Sequence, residues 1–281
     1  MVLELRPIDY LIIGHVTQDL TPDGDVLGGT ASFAGLTAHA LGKRVGILTS
    51  AAADFDLSPL HHLQIHRLEC ETTSTFQNTY GPEGRLQRIT ARAADLMFDA
   101  LPPEWSATKL VHCAPIANEV DFDFVNVSPS QLLGLTPQGW LRQWDDSGVI
   151  SLHHWSKLQP YLNRSSAVVL SQEDLGGTLD PASDIAALVK ILVVTMSADG
   201  AMVYKDGESR HIPAPSMIEV NPTGCGDIFA ATFFIRLSEG DDPWTAAAIA
   251  NQLAACSVTR VGLASIPSSE EIQDALQLRV S

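Results

Sequence analysis

The chain of 281 residues is poor in basic residues and contains no long apolar run. Lys and Arg together number 17 against 33 acidic residues, which gives a formal net charge of -16. This balance argues against a nucleic-acid or anionic-membrane partner, because phosphates attract a basic surface. No apolar stretch reaches the roughly 18 residues that a transmembrane helix needs. An anionic ligand must therefore be bound by a local feature, such as a helix N-terminus.

Cysteine is also scarce, and the four cysteines stand apart at Cys70, Cys113, Cys225 and Cys256. Without a CxxC pair, neither a zinc knuckle nor a thioredoxin motif is indicated. The histidines lack HExxH spacing, which disfavours a catalytic zinc site. The short apolar run near the N-terminus is interrupted by charged residues, unlike a signal peptide. We therefore expect reduced thiols in a cytoplasmic protein.

Several common catalytic motifs are missing as well. The sequence contains no GxxxxGK[ST], no GxGxxG after an N-terminal strand and no GxSxG. These absences disfavour a Walker NTPase, a dinucleotide-dependent enzyme and a hydrolase with a nucleophile elbow.

Apolar residues, by contrast, are abundant at 45%, and no low-complexity linker divides the chain. We therefore expect a single domain over 1–281. Short apolar runs alternate with helical segments, which predicts an α/β fold with buried parallel strands. The expected strands lie at 10–14, 44–49, 110–113, 167–170 and 191–195. A helix of small residues is expected over 31–41, ended by Gly42.

The segment 72–91 differs from its surroundings because it is polar and rich in threonine. A turn at 81–84 separates two alternating runs, which predicts an antiparallel hairpin outside the main sheet, suited to a lid. Near the C-terminus, Asp206-Gly207 indicates a second hairpin. Helices are expected over 224–238, after the N-cap Asp242, and after a capping box at 268–271.

The most informative segment is 221–229, Asn-Pro-Thr-Gly-Cys-Gly-Asp-Ile-Phe. Gly224 and Gly226 flank a small residue where a loop enters a long apolar helix, and N–H groups at such a start bind anions. Asp227 would then lie beside the anion, suited to accept a proton from a hydroxyl that attacks a phosphoryl group. The alternative is a glycine-rich loop in which Asp227 only stabilises the helix dipole.

The segment 221–227 resembles the DTxGAGD signature of the PfkB (ribokinase-like) family of carbohydrate kinases. Gly28-Gly29 resembles that family's N-terminal GG motif, and 195–200 resembles its TxGxxG nucleotide loop. These motifs occur in the family's order over nearly the whole chain. The resemblance implies a doubly wound, mainly parallel sheet with helices on both faces and a small β lid. It also implies ATP, Mg²⁺ and a small sugar or polyol as ligands.

The resemblance also implies a role for each matching residue. The catalytic base would be Asp227, and the anion hole would consist of Gly224, Cys225 and Gly226. The residues that match substrate-binding positions are Asp19, Gly28, Gly29 and Arg142. The residues that match nucleotide-binding positions are Thr195, Ser197, Gly200 and Asn251. Considered alone, Asp19 is equally consistent with a loop cap and Arg142 with a surface arginine.

Four positions depart from the family pattern. Asn221 replaces an acid that helps to hold a monovalent cation, and Ser197 replaces a glycine. Phe33 stands near a position where sugar kinases often have asparagine. The motif NxxE, which organises magnesium, becomes Ser-Gln-Glu-Asp at 171–174, so that Asp174 would contact the metal through water.

Three further segments, 13–19, 72–81 and 137–142, resemble the myo-inositol kinase branch, although Thr136 stands where that branch usually has an acid. We therefore expect ATP-dependent phosphorylation of a small polyol or sugar, with myo-inositol as the first candidate. A nucleoside kinase is the alternative if Phe33 and Phe76 sandwich a base. A non-catalytic sugar-binding regulatory protein is another. Because the lid hairpin pairs between subunits in some members, a homodimer is a further expectation.

Overall fold

The computed structural model describes residues 5–22, 24–81, 84–126 and 131–278. In chain order its strands are β1 (Tyr10–Ile13), β2 (Thr17–Thr21), β3 (Gly24–Gly28), β4 (Val45–Ala52), β5 (Gln64–Cys70), β6 (Ser74–Gly81), β7 (Gly84–Ala91), β8 (Leu110–Cys113), β9 (Leu132–Leu135), β10 (Arg142–Trp144), β11 (Ile150–Leu152), β12 (Ala167–Ser171), β13 (Ile191–Thr195), β14 (Ala201–Lys205) and β15 (Glu208–Ile212). The α-helices are α1 (Thr30–Ala40), α2 (Gln138–Leu141), α3 (Gln159–Leu162), α4 (Ala182–Ala186), α5 (Cys225–Ser238), α6 (Pro243–Ser257) and α7 (Ser269–Ala275).

Nine strands form the central sheet, in the order β15-β14-β13-β12-β9-β8-β1-β4-β5. The seven strands from β13 to β5 pair in parallel, and only β14 and β15 add antiparallel strands at one edge. From β1 the chain winds first to β4 and β5 and later to β8 and beyond. This confirms the doubly wound, mainly parallel sheet. It also places the topological switch point between β1 and β8, where ligands bind in such folds.

Both faces of the sheet are buried. Successive side chains of a strand point to opposite faces, so neighbouring residues of β1 enter different apolar clusters. Tyr10 and Ile12 pack in the apolar cluster that contains the aromatic residues of α5. Leu11 and Ile13 enter a second cluster, which contains the fully buried Trp105. Helices and loops therefore cover the two faces, as the continuous apolar strands predict.

A separate four-stranded sheet, β3-β2-β6-β7, forms the lid. The antiparallel pairing of β6 with β7 confirms the hairpin predicted over 72–91, although residues 82–83 of its turn lie outside the described residues. The sequence does not predict the other half of the lid. Strand β2 pairs with β3 and with β6, which places Asp19 on a strand rather than in a loop.

The predicted helix starts are confirmed. Asp242 caps α6 by accepting hydrogen bonds from the N–H groups of Trp244 and Thr245. Ser268 and Glu271 form a complete capping box at α7. Within the described ranges, no helix has the length and apolar content that crossing a bilayer requires.

Candidate active site

A cavity of about 530 Å³ lies at the carboxyl ends of the central strands, beneath the lid. Its lining comes from five regions: the lid strands β2, β6 and β7, the starts of α1 and α5, the loops after β8, β12 and β13, the start of α2 and of β10, and the inner face of α6. Because parallel strands end at one edge, segments far apart in the sequence meet there. The cavity therefore joins the segments that the sequence singles out.

The start of α5 is where the sequence predicts an anion cradle. Gly224 has a φ of 84°, and a Cβ there would lie 2.3 Å from the ring of Phe33, so only glycine fits. The first helical hydrogen bond runs from the N–H of Ile228 to the carbonyl of Gly224. The N–H groups of Gly226 and Asp227 therefore have no intrahelical acceptor, whereas the N–H of Cys225 donates a 3.2 Å hydrogen bond to the carbonyl of Pro222. A Cβ on Gly226 would meet open space, which leaves room for a ligand beside these amides.

Asp227, in the first turn of α5, lines the cavity and is partly buried. The loss of solvent around the carboxyl group raises its pKa from 3.8 to about 6. A hydrogen bond from Thr30 and the positive charge of Arg142 oppose this rise, whereas the negative charges of Asp19 and Asp174 add to it. A carboxylate with such a pKa is a stronger base than an ordinary aspartate and is still ionised at neutral pH.

Arg142 is buried, with 5% of its surface exposed, and is not a surface arginine. One guanidinium N–H group, on Nη1, donates a 3.0 Å hydrogen bond to the carbonyl of Ile116, and the guanidinium carbon lies 5.4 Å from the centroid of the Phe76 ring. Among the described residues that line the cavity, Arg142 is the only basic one. It therefore provides the one positively charged side chain of the described lining.

Asp19 reaches the cavity from β2, where its Oδ1 accepts a 3.1 Å hydrogen bond from the hydroxyl of Thr17. Gly28 lies behind this carboxylate, because a Cβ on Gly28 would come within 2.4 Å of Asp19 Oδ2. Gly29 has a φ of 87°, and its Cβ would lie 2.7 Å from the carbonyl oxygen of His15. Gly28 thus lets the backbone pass close to the carboxylate of Asp19, and Gly29 lets it pass close to the backbone of His15.

Two amide side chains of the lid also line the cavity: Asn78 belongs to the segment 72–81 that the sequence singles out, whereas Gln87 lies outside every motif. Asn78 on β6 and Gln87 on β7 are directly opposite in the register, and Gln87 Nε2 donates a 3.0 Å hydrogen bond to Asn78 Oδ1. Phe76, two residues before Asn78, faces the same cavity. The two-residue period of a strand is the signal that relates these positions.

The opposite end of the cavity is formed by the predicted nucleotide residues Thr195, Ser197, Gly200 and Asn251. Gly200 has a φ of 91°, and a Cβ there would lie 2.2 Å from the carbonyl oxygen of Ile212. Asn251 is buried on α6, and its Nδ2 donates a 2.8 Å hydrogen bond to that same carbonyl. Asn251 therefore fixes the chain after β15 besides lining the cavity.

The segment that departs from NxxE has a local structure of its own. Asp174 is buried, and its Oδ2 accepts hydrogen bonds from the N–H and the hydroxyl of Ser171, at 2.8 and 2.7 Å. The neighbouring carboxylate, Glu173, is the one that lines the cavity. Asn221 Oδ1 accepts a 2.8 Å hydrogen bond from the N–H of Thr223, which shapes the loop before α5.

The structure therefore brings most of the predicted site residues to one cavity. Those that line it are Asp19, Gly29, Arg142, Thr195, Ser197, Gly200, Gly224, Cys225, Gly226, Asp227 and Asn251. Gly28 and Asp174 lie directly behind lining residues. The cavity has an acidic and amide-rich part under the lid, a part formed by the start of α5, and a part lined by the loop after β13 and by α6.

Comparison with known proteins agrees with this geometry. Residues 162–270 match the model of the pfkB family of carbohydrate kinases. Inositol 3-kinase from Oryza sativa subsp. japonica is 40% identical over 289 residues, covering 93% of this chain and 71% of that protein. Cytidine kinase from Thermococcus kodakarensis is 27% identical over 261 residues, covering 83% of this chain and 90% of that protein.

Solved structures show the same fold. A pyrophosphate-dependent kinase of the ribokinase family, complexed with a pyrophosphate analog and myo-inositol, superposes with a TM-score of 0.80 at 19% identity, covering 94% of this chain and 99% of that one. Ribokinase from Thermotoga maritima gives a TM-score of 0.75 at 19% identity, covering 96% and 100%.

Proposed function

We propose, from the premise that this chain belongs to the pfkB family of carbohydrate kinases, that it transfers the γ-phosphate of ATP to a hydroxyl of a small polyol, with myo-inositol as the first candidate. One observation carries the proposal. Asp227 lies in the first turn of α5, next to Gly224 and Gly226, and lines one cavity together with the acidic and amide side chains under the lid. An acceptor hydroxyl, a base and an anion cradle can therefore meet at one point.

In this reaction the acceptor hydroxyl oxygen attacks the γ-phosphorus. The new O–P bond forms as the bond to the ADP oxygen breaks, and the hydroxyl proton moves to the carboxylate of Asp227. The first-turn amides of α5 and the guanidinium of Arg142 stabilise the negative charge on the transferring group. Burial strengthens these interactions, because Arg142 has little solvent around it.

The residues present fit a nucleotide with a divalent ion. Within the described part of the chain, no group of three or more His, Cys, Asp or Glu side chains could hold a metal. This fits Mg²⁺, which is commonly held by one or two carboxylates together with phosphate oxygens and water. Glu173, and Asp174 through water, would be those carboxylates, and the ion would neutralise phosphate charge. The adenine of the nucleotide would occupy the part of the cavity that Asn251 lines.

The lining under the lid supports a polyol as the acceptor. Asp19, Asn78, Gln87 and Gln138 all line this end of the cavity. A carboxylate accepts hydrogen bonds from two neighbouring hydroxyls, and an amide can both donate and accept. Such a lining suits a compact, uncharged ring with hydroxyls on every side. Three acids in the cavity, Asp19, Glu173 and Asp227, disfavour an acceptor that already carries phosphate.

A nucleoside acceptor is the second candidate, and a specific observation favours it. Phe33 and Phe76 both line the cavity, and aromatic rings can stack on a base. A cytidine kinase is also among the relatives. However, Phe76 already contacts the guanidinium of Arg142, and Phe33 packs against Gly224. Both rings therefore have structural partners, which favours the polyol.

The deciding experiment measures kcat/KM for myo-inositol, ribose, fructose, fructose phosphate, adenosine and cytidine, each with MgATP and with pyrophosphate. We expect the highest value for myo-inositol with MgATP, and a value lower by about two to four orders of magnitude for Asp227→Asn. If a nucleoside or phosphosugar exceeds myo-inositol by more than about tenfold, roughly 1.4 kcal/mol of transition-state preference, the proposed acceptor is wrong. A higher value with pyrophosphate would refute ATP as the donor, and no transfer at all would point to a binding protein.

A further inference from the structure

Three buried polar residues lie where the lid joins the central sheet. His15 follows β1, Ser74 begins β6, and Glu119 follows β8; each has at most 1% of its surface exposed. Burying polar groups costs free energy unless they are hydrogen-bonded. These three residues form the lid-root cluster.

The carboxylate of Glu119 is bonded by backbone amides. Oε1 accepts from the N–H groups of His15 and Ile116 at 3.0 Å, and Oε2 accepts from Ile116 at 3.0 Å and Ala117 at 2.7 Å. The His15 ring nitrogen lies 4.0 Å away, beyond hydrogen-bond distance. One side chain therefore joins the chain leaving β1 to the chain leaving β8, on the two sides of the switch point.

The imidazole of His15 joins both roots of the β6–β7 hairpin. Its Nε2 lies 2.8 Å from the carbonyl oxygen of Ala94, just beyond β7, and its Nδ1 lies 2.8 Å from the hydroxyl of Ser74. The Ser74 oxygen also accepts a 3.0 Å hydrogen bond from the N–H of Ala93. A neutral ring protonated on Nε2 satisfies this arrangement, because Nε2 then donates and Nδ1 accepts from Ser74.

Residues next to the lid-root cluster belong to the part of the cavity under the lid, where the proposed acceptor would bind. Thr17 begins β2 two residues after His15, and β2 carries Asp19. Ile116, which is bonded by Glu119, accepts the hydrogen bond from Arg142 through its carbonyl. We propose that His15, Ser74 and Glu119 are positioning residues that fix the lid on the sheet and thereby set the affinity for the acceptor. The kinetic part of this proposal rests on the proposed function.

The first test is Ser74→Ala, which leaves His15 Nδ1 and the N–H of Ala93 without their partner. Ser165→Ala is the matched control, because Ser165 is also buried but bonds only the carbonyl of Leu162. We expect Ser74→Ala to raise KM for myo-inositol by about tenfold while KM for ATP stays within about twofold. An equal rise in both KM values, or an equal effect of Ser165→Ala, would overturn the proposal.

The second test does not depend on the substrate. Amide hydrogen exchange is measured in β6 and β7 and, as a reference, in β12 and β13. Ser74→Ala and Glu119→Gln should lower protection of the lid strands by about tenfold or more and leave the reference strands within about twofold. Equal loss in both sheets means a merely structural role. If wild type does not phosphorylate myo-inositol yet the lid strands respond selectively, the proposed function fails and the positioning role stands.

Discussion

At the scale of single residues, the chemistry depends on the environment of one carboxyl group. Burial raises the pKa of Asp227, and the hydrogen bond from Thr30 and the positive charge of Arg142 lower it by less. The raised pKa makes it a better base, and it also makes its ionisation unfavourable for folding. Both consequences can be measured on one conservative variant.

The first prediction concerns activity. Asp227→Asn removes the proton acceptor and preserves the shape of the side chain, so turnover should fall by about two to four orders of magnitude. Binding of ATP should be nearly unchanged, because the donor lies on the other side of the anion cradle. Initial rates and ATP titration check this expectation, and retention of more than about a tenth of wild-type turnover would exclude Asp227 as the base.

The second prediction concerns pH. Because the pKa of Asp227 is raised in the folded state, the folded protein binds more protons than the unfolded chain between about pH 4 and 6, and Asp227 costs stability as the pH rises through this window. The Asn variant should thus be more stable at about pH 8, by at most about 3 kcal/mol, and should lose this advantage below about pH 4. Wild-type kcat should decline below about pH 6. Urea unfolding of both proteins across this range gives the comparison; equal stability at pH 8 would contradict the raised pKa.

At the scale of elements, the loop entering α5 combines two glycines with different tasks. Gly224 needs its left-handed backbone and the space that Phe33 leaves, whereas Gly226 has ordinary backbone and open space beside it. The first glycine is therefore required by the fold, and the proposed function assigns the second to the binding of phosphate.

The third prediction separates these tasks. Gly224→Ala should destabilise the protein by about 2 kcal/mol or more, because of the αL penalty and the contact with Phe33. Gly226→Ala should leave stability unchanged or slightly raised, but its methyl group would occupy the phosphate position and lower turnover. Denaturant midpoints and turnover are compared for the two variants. Normal turnover in Gly226→Ala would place the phosphate elsewhere.

At the scale of the whole molecule, the protein combines a net charge of -16 with a cavity that has Arg142 as the only basic residue among its described lining. The general field therefore repels anions, and under the proposed function the amides of α5 and Arg142 would attract the donor only at short range. An uncharged acceptor is not affected by this field.

The fourth prediction follows from that charge. Raising the ionic strength from about 0.02 to 0.2 M screens the repulsion, so kcat/KM for MgATP should rise, by about twofold or more. The value for myo-inositol, measured at saturating MgATP, should not change, and this serves as the internal control. A decrease for MgATP would indicate a basic docking surface and would contradict the inferred repulsion between the protein and its donor.

Local sequence was sufficient for much of the fold. Buried strands were predicted from continuous apolar runs, helix starts from Asp242 and Ser268, and the β6–β7 hairpin from alternation around a turn. Each of these signals depends on a few neighbouring residues, so it can be recognised without knowing how the rest of the chain folds. The glycines before Asp227 likewise marked the start of α5.

Tertiary structure decided what depends on distant segments. Arg142 is buried because Phe76 and the carbonyl of Ile116 come to it from other elements. Gln87 reaches the cavity through its pairing with β6, and Glu173 takes the lining position beside Asp174. The pKa of Asp227 is likewise a sum over burial and charges from several strands and helices. Sequence spacing determines which residues can turn toward one face of an element, but desolvation and contact depend on which faces meet, and only the folded chain specifies those.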